Sequence, residues 1–200
     1  GAGKTTFIKR LARNVDQRFA ILENEYGAAG IDGARLGQNR QGTQKNVWEM
    51  TEQCICCIGK KDFAASVLTI ANVVDPEYLI VEPTGVGSLA RIIENLRQIE
   101  YERIQLLSPV TIVDVYSYRR YMAEYPELYQ DQIRSADTII VSKTEACQAE
   151  EKQRIQKFLQ EINSQAKIIT DYASTMTRED YQSLLLGGRY EKEVQDTQSG

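Results

Sequence analysis

The first six residues carry the feature that most constrains the fold of this chain. They read GAGKTT, from Gly1 to Thr6, the second half of the pattern GxxxxGK[ST]. In that pattern the glycines let backbone N–H groups close around phosphate oxygens, the lysine reaches the outer phosphates, and the next hydroxyl binds Mg²⁺. Such a loop joins a strand to a helix, whereas the simplest alternative is a glycine-rich turn before a helix. The first glycine and the strand before it would precede residue 1, so we expect an N-terminally truncated domain.

The hydrophobic pattern alternates between two kinds of segment, which predicts an α/β fold with a doubly wound, mostly parallel sheet. Four stretches place apolar residues on one helical stripe, and five short apolar runs are typical of strands buried on both faces. The predicted helices centre on residues 8–15, 64–71, 89–96 and 155–162, and the predicted strands are 19–22, 78–81, 110–113, 138–141 and 166–169.

Polar side chains follow four of these predicted strands, at Glu23, Glu82, Asp114 and Ser142–Lys143. Ligands of such sheets bind beyond the carboxyl ends of the strands. We therefore expect these four ends to form the rim of one site.

The expected organisation is a nucleotide-binding domain over residues 1–170, with a polar tail or the start of a further module over 171–200. Within the domain, residues 27–60 are rich in glycine and polar residues and show weak periodicity. Long irregular segments in compact domains are usually functional. We interpret this one as a switch and metal-binding insertion.

Composition excludes several classes of function. The 200 residues have a net charge of −4 and no basic run, so we expect no nucleic-acid partner. No apolar stretch has the length of a membrane span, and we expect a cytoplasmic protein. The chain has no histidine, which removes the commonest general base and the commonest metal ligand.

Three of the four cysteines, Cys54, Cys56 and Cys57, crowd into four positions. This layout suits a metal site in a reducing compartment better than a disulfide framework. Zn²⁺ is the default ion, with Co²⁺, Ni²⁺ or Cu⁺ as alternatives, and Glu23 or water would complete the site. Buried small hydrophobes and a redox thiol pair are the other interpretations.

Cys147 is expected to be an isolated, structural helix residue.

Two further motifs follow the P-loop. In the first, Glu82 ends an apolar run and Gly85 comes three residues later, the spacing of a carboxylate that serves Mg²⁺ and a glycine that contacts the γ-phosphate. The alternative is an ordinary turn around Pro83 and Gly85.

The second motif, SKTE at residues 142–145, resembles [NT]KxD, in which the acid accepts two hydrogen bonds from guanine and the lysine stem packs along the ring. Glu145 stands where Asp is usual. A capping box at a helix start, with Ser142 as N-cap, is the competing interpretation.

These motifs, in this order and together with the sequence ENEYG at residues 23–27, resemble the CobW-like P-loop GTPases, which are related to the GTPases that mature urease and nickel hydrogenase. The resemblance covers about residues 1–169. It implies a Mg²⁺-dependent GTPase that binds a transition metal at CxCC and couples hydrolysis to metal delivery, or to maturation of a metalloenzyme or cofactor such as cobalamin. The partner would be a client metalloprotein or a cofactor-synthesis enzyme, and related GTPases can also dimerise across the nucleotide.

The resemblance and the motifs together give three sets of candidate residues. The nucleotide set is Gly1, Gly3, Lys4, Thr5, Thr6, Gly85, Ser142, Lys143 and Glu145. The catalytic residues are Lys4 and Glu82, the magnesium residues are Thr5 and Glu82, and the transition-metal residues are Cys54, Cys56, Cys57 and Glu23. Two other classes stay open: a P-loop ATPase or kinase with structural cysteines, and a non-catalytic switch.

Overall fold

A computed structural model describes residues 1–23, 47–51, 60–83 and 87–187. Within these ranges no helix combines the length and the apolar character that a membrane span requires. The helices are α1 (Lys4–Asn14), α2 (Lys60–Val73), α3 (Leu89–Arg97), α4 (Tyr118–Glu124), α5 (Pro126–Arg134), α6 (Ala149–Ile162), α7 (Tyr172–Thr175) and α8 (Arg178–Leu186). The strands are β1 (Phe19–Glu23), β2 (Val47–Thr51), β3 (Tyr78–Glu82), β4 (Val110–Asp114), β5 (Thr138–Ser142) and β6 (Lys167–Ile169).

These strands form two three-stranded sheets, with the orders β2-β1-β3 and β4-β5-β6. Every pairing within the two sheets is parallel. All five residues of β5 are buried, because a central parallel strand is covered on both faces. The prediction of an α/β fold built on parallel strands is therefore confirmed.

The chain divides into two compact units. The first comprises Gly1–Val15, Ser88–Glu94 and Gln105–Gly200, and the second comprises Asp16–Gly87 and Asn95–Ile104. Each has its own apolar cluster. The cluster of the first unit contains Val113, Val115, Tyr118, Ile133, Ala136, Ile139, Val141, Ile155 and Leu159. That of the second contains Ala20, Leu22, Val67 and Ile70.

The five predicted strands and four predicted helices all form, and the differences lie in short elements. Strand β2 lies inside the stretch that was expected to be irregular, because its sequence VWEMT contains Glu49 and lacks the continuous apolar run of the predicted strands. Helices α4, α5 and α7 were not predicted. Each is short, and Pro126 begins the second of them, at a position where a missing N–H costs nothing.

The segment after residue 170 packs against α1 within the first unit. The ring of Phe7 lies 5.6 Å from that of Tyr172 and 6.0 Å from that of Tyr181. A guanidinium nitrogen of Arg10 donates to the Ala173 carbonyl oxygen at 3.1 Å. Helix α8 begins at Arg178, where Thr177 and Asp180 form a capping box.

Asn163 joins three segments of the first unit. Its amide nitrogen donates to the carbonyl oxygens of Ile133 at 2.8 Å and Ala136 at 2.9 Å, and its amide oxygen accepts from the N–H of Ala166 at 3.1 Å. The residue is 7% exposed. Its side chain therefore satisfies two buried carbonyl groups and one partly buried N–H group.

We expect Asn163→Ala to lower the free energy of unfolding by roughly 2–4 kcal/mol, because it leaves several buried backbone groups without partners. Urea unfolding measures the change. Gln160→Ala, at an exposed position of the same helix, is the control and should change stability by less than about 0.5 kcal/mol. Equal stability of the two variants would contradict the structural role of Asn163.

Candidate functional site

The P-loop segment leads directly into α1. Gly3 lies in the left-handed region, with φ 90° and ψ 18°, and its carbonyl oxygen accepts the N–H of Phe7 at 3.0 Å. A Cβ on Gly3 would meet Ser142 only at ordinary contact distance, so the need for glycine comes from the backbone angle. Lys4 and Thr5 occupy the first turn, where helix N–H groups and the helix dipole favour anions. The hydroxyl-bearing residue Thr5 is exposed.

Ser142 ties this loop to the end of β5. Its hydroxyl donates to the carbonyl oxygen of Ala2 at 2.7 Å, across 140 residues of sequence, and lies 3.3 Å from that of Val113. Ser142 is 2% exposed. The structure thus brings the P-loop and the SKTE motif together within one unit, and the Ser142 side chain contacts the loop's main chain.

Asp114, at the end of β4, lies beside the same motif. Its Oδ2 accepts the Lys143 ammonium at 2.6 Å and the Ser117 hydroxyl at 3.0 Å, and its Oδ1 accepts the N–H of Tyr116 at 2.9 Å. Burial alone would raise the pKa of Asp114, but these hydrogen bonds, led by that of Lys143, outweigh it and lower the pKa. The carboxylate is therefore ionised at neutral pH.

The lowered pKa of Asp114 has a consequence for stability in acid. A carboxyl group whose pKa is lower in the folded state stabilises the fold above its unfolded pKa of about 3.9, and that contribution is lost as the pH falls through the folded pKa. We expect the wild type to lose more stability than Asp114→Asn between about pH 6 and pH 3. Urea unfolding at a series of pH values measures this, and parallel curves would contradict it.

Residues 143–148 form a turn, and α6 begins only at Ala149, with Gln148 as its N-cap. The capping-box interpretation of Ser142 and Glu145 is therefore wrong, because no helix starts at Ser142. Glu145 is exposed, and a side chain that contacts a ligand has to be accessible in this way. Cys147 lies in this turn and not in a helix, so its helical assignment is also wrong.

A hydrogen bond with the Cys147 thiol raises the pKa of Tyr116, and the negative charges of Glu145 and Asp114 add to the shift. Tyr116 is 62% exposed. The loop after β4 thus lies beside the turn that carries Glu145.

Asp171, which sequence reasoning did not select, lies two residues after the end of β6 in the first unit. Its Oδ1 accepts the Lys152 ammonium at 2.6 Å. This hydrogen bond, with a smaller one from Thr144, lowers the pKa of Asp171. Its place just after the predicted strand 166–169 was the available signal, but Asp171 does not follow that strand directly, since Thr170 stands between them.

The second unit brings two other predicted residues to one sheet edge. Glu23 and Glu82 are register partners at the ends of the adjacent parallel strands β1 and β3. Glu82 is partly buried.

Gly85, Cys54, Cys56 and Cys57 lie outside the described residues, so their roles stay predictions. Among the described residues, no three metal-ligating side chains come together.

Known proteins are similar in sequence to most of this chain. Residues 1–170 match the family described as "CobW/HypB/UreG, nucleotide-binding domain". The chain is 30% identical over 172 residues to the zinc chaperone YeiR of Escherichia coli K12, covering 84% of this chain and 51% of that protein. It is 26% identical over 199 residues to the zinc chaperone CobW of Pseudomonas aeruginosa, covering 84% of this chain and 53% of that protein.

Solved structures show the same fold. Zn(II)-bound YjiA GTPase from E. coli superposes with a TM-score of 0.66 at 21% identity, covering 100% of this chain and 63% of that one. Hydrogenase maturation factor HypB from Archaeoglobus fulgidus gives a TM-score of 0.60 at 18% identity, covering 94% of this chain and 84% of the other. The chain spans about half the length of the curated relatives it matches.

Proposed function

The chain belongs to the CobW/HypB/UreG family of nucleotide-binding domains, and we propose that it is the GTP-hydrolysing part of a metallochaperone. In this proposal the nucleotide state controls delivery of a transition metal to a client metalloprotein or cofactor-synthesis enzyme. Relatives named zinc chaperones and a zinc-regulated GTPase metalloprotein activator support zinc as the cargo.

One observation carries the nucleotide part of the proposal: the hydrogen bond from Ser142 to Ala2 joins the two motifs that would bind GTP. On one side Gly3 sets the left-handed turn that leads into the first turn of α1. On the other, Lys143 and the exposed Glu145 follow β5. A phosphate-binding segment and a base-reading segment within one compact unit fit a purine nucleoside triphosphate.

The proposed phosphate chemistry rests mainly on position and charge. The Lys4 ammonium would bind the outer phosphates, while backbone N–H groups from Gly1 to Thr6 would surround the inner ones. Thr5 and Glu82 offer a hydroxyl and a carboxylate, oxygen donors of the kind that Mg²⁺ takes. When bound, Mg²⁺ would neutralise charge on the β- and γ-phosphates.

The chain has no histidine, so Glu82 or a backbone group would orient the attacking water. We therefore expect slow intrinsic turnover of GTP.

The proposed metal site consists of Cys54, Cys56 and Cys57, with Glu23 as a further ligand. Thiolates suit Zn²⁺, and also Co²⁺ or Ni²⁺. The three cysteines lie in the sequence between the P-loop and Glu82, so nucleotide and metal would bias the same segment, residues 27–60. Binding linkage then requires that each ligand change the affinity of the other by the same factor.

A GTP and ATP competition experiment tests the nucleotide assignment directly. With purified protein and Mg²⁺, we expect saturable GTP hydrolysis that excess ATP inhibits weakly, and bound zinc by elemental analysis. Preference for ATP without bound metal would favour an ATPase or kinase with structural cysteines. Binding of GTP with no turnover, even with metal and client present, would favour a non-catalytic switch.

A further inference from the structure

The Asp114 carboxylate connects the two loops that follow β4 and β5. Asp114 is 5% exposed. Its Oδ1 accepts the Tyr116 N–H within its own loop, and its Oδ2 accepts the Lys143 ammonium of the neighbouring loop at 2.6 Å. The N–H of Val115 also donates to the Ser142 carbonyl oxygen at 3.3 Å. The end of β4 therefore fixes the place from which Lys143 projects.

Lys143 has an unusual backbone conformation for a residue other than glycine. Its φ is 62°, in the left-handed region. Non-glycine residues adopt this conformation at a cost and keep it where the surroundings determine it, often at functional sites. The Lys143 side chain is 47% exposed, whereas its partner carboxylate is 5% exposed. The Lys143 ammonium is thus held by the buried Asp114 carboxylate, while much of the Lys143 side chain remains exposed to solvent.

We propose that Asp114 is a positioning residue for the nucleobase and acts through Lys143. Asp114 holds the ammonium so that the aliphatic stem of Lys143 is already in place to cover one face of the purine ring. A free lysine loses much rotamer freedom when it is ordered by a ligand. If the ion pair with Asp114 already orders the Lys143 side chain, nucleotide binding does not include that loss of entropy, and the affinity for the nucleotide is higher. The inference rests on the proposed function, in which residues 142–145 face guanine.

A purely structural ion pair makes a different prediction. It would stabilise the first unit, and its loss would lower stability without a specific effect on nucleotide affinity. The positioning role predicts a change in the GTP dissociation constant with little change in kcat, since the stem covers the base in both the ground state and the transition state.

The test is a double-mutant cycle on Asp114→Asn and Lys143→Met, with GTP dissociation constants from displacement of a fluorescent GTP analogue and kcat from phosphate release. Lys143→Met keeps an apolar stem but removes the ammonium. We expect Asp114→Asn to weaken GTP binding about tenfold, with kcat within about twofold of the wild type. In the Lys143→Met background the same substitution should have little effect, because the group it acts through is gone. Asp114→Glu should recover part of the affinity.

Asn163→Ala is the matched control, since it destabilises the same unit but lies in neither loop. It should leave the GTP dissociation constant unchanged at a temperature where the variant is folded. Normal GTP binding by Asp114→Asn would overturn the positioning role, and so would additive effects in the cycle. If the wild type shows no saturable GTP binding, the proposed function fails as well, so the two failures are distinguishable.

Discussion

Replacing Lys4 with alanine is expected to reduce GTP turnover by on the order of 10²–10³-fold, the largest loss we expect from a single substitution. Lys4 is the first residue of α1, directly after the left-handed Gly3. Its ammonium would stabilise charge that develops on the transferred phosphoryl group, and no neutral side chain can replace that charge. Release of inorganic phosphate under saturating GTP measures the effect.

Lys9→Ala is the control for this experiment. Lys9 is an exposed residue of the same helix, so its substitution removes the same charge and the same side-chain atoms at a distance from the phosphate loop. It should retain turnover within about twofold, because exposed substitutions away from special features have small effects. Near-normal turnover by Lys4→Ala would refute the catalytic role of the P-loop lysine.

Replacing Cys54, Cys56 and Cys57 together with serine is expected to weaken Zn²⁺ binding by about a thousandfold or more. Protein thiolates supply most of the binding free energy of such sites, which reaches roughly 10–16 kcal/mol in small zinc domains. A competitive titration against a zinc-binding dye, under reducing conditions, gives the affinity. Cys147→Ser is the matched control and should bind Zn²⁺ like the wild type, because Cys147 packs against the apolar cluster of the first unit.

The same titration, repeated with a non-hydrolysable GTP analogue, tests the coupling between nucleotide and metal. We expect the analogue to change the zinc affinity by about 5- to 150-fold, the usual range of allosteric coupling. Zinc should then change the affinity of the analogue by the same factor. Equal zinc affinities in the two titrations would leave a nucleotide-binding domain without a delivery function.

How far the sequence could predict the structure depended on how clear the hydrophobic pattern of each element was. Helix α6 spans fourteen residues and carries an apolar stripe, and β5 is a continuous run that is buried at every position, so the hydrophobic pattern identified both. The seven-residue α4 and the five-residue β2 gave no clear period. Glu145 illustrates a different limit. The sequence allowed both a guanine-reading motif and a capping box there. The structure excludes the capping box because α6 begins only at Ala149, whereas the role of Glu145 toward guanine stays a prediction.

The sequence by itself determined the local chemistry of this protein: a glycine–lysine–threonine loop that suits phosphate, strands that end in polar residues, and three clustered thiols. Those properties depend on neighbouring residues, which a sequence pattern records directly. The tertiary structure alone decided that the Ser142 hydroxyl joins Ala2 and that Asp114 holds Lys143. These contacts cross 140 and 29 residues of chain. The second contact arises because the parallel strands β4 and β5 bring their carboxyl ends to one edge of a sheet, and no local pattern shows which side chains meet there.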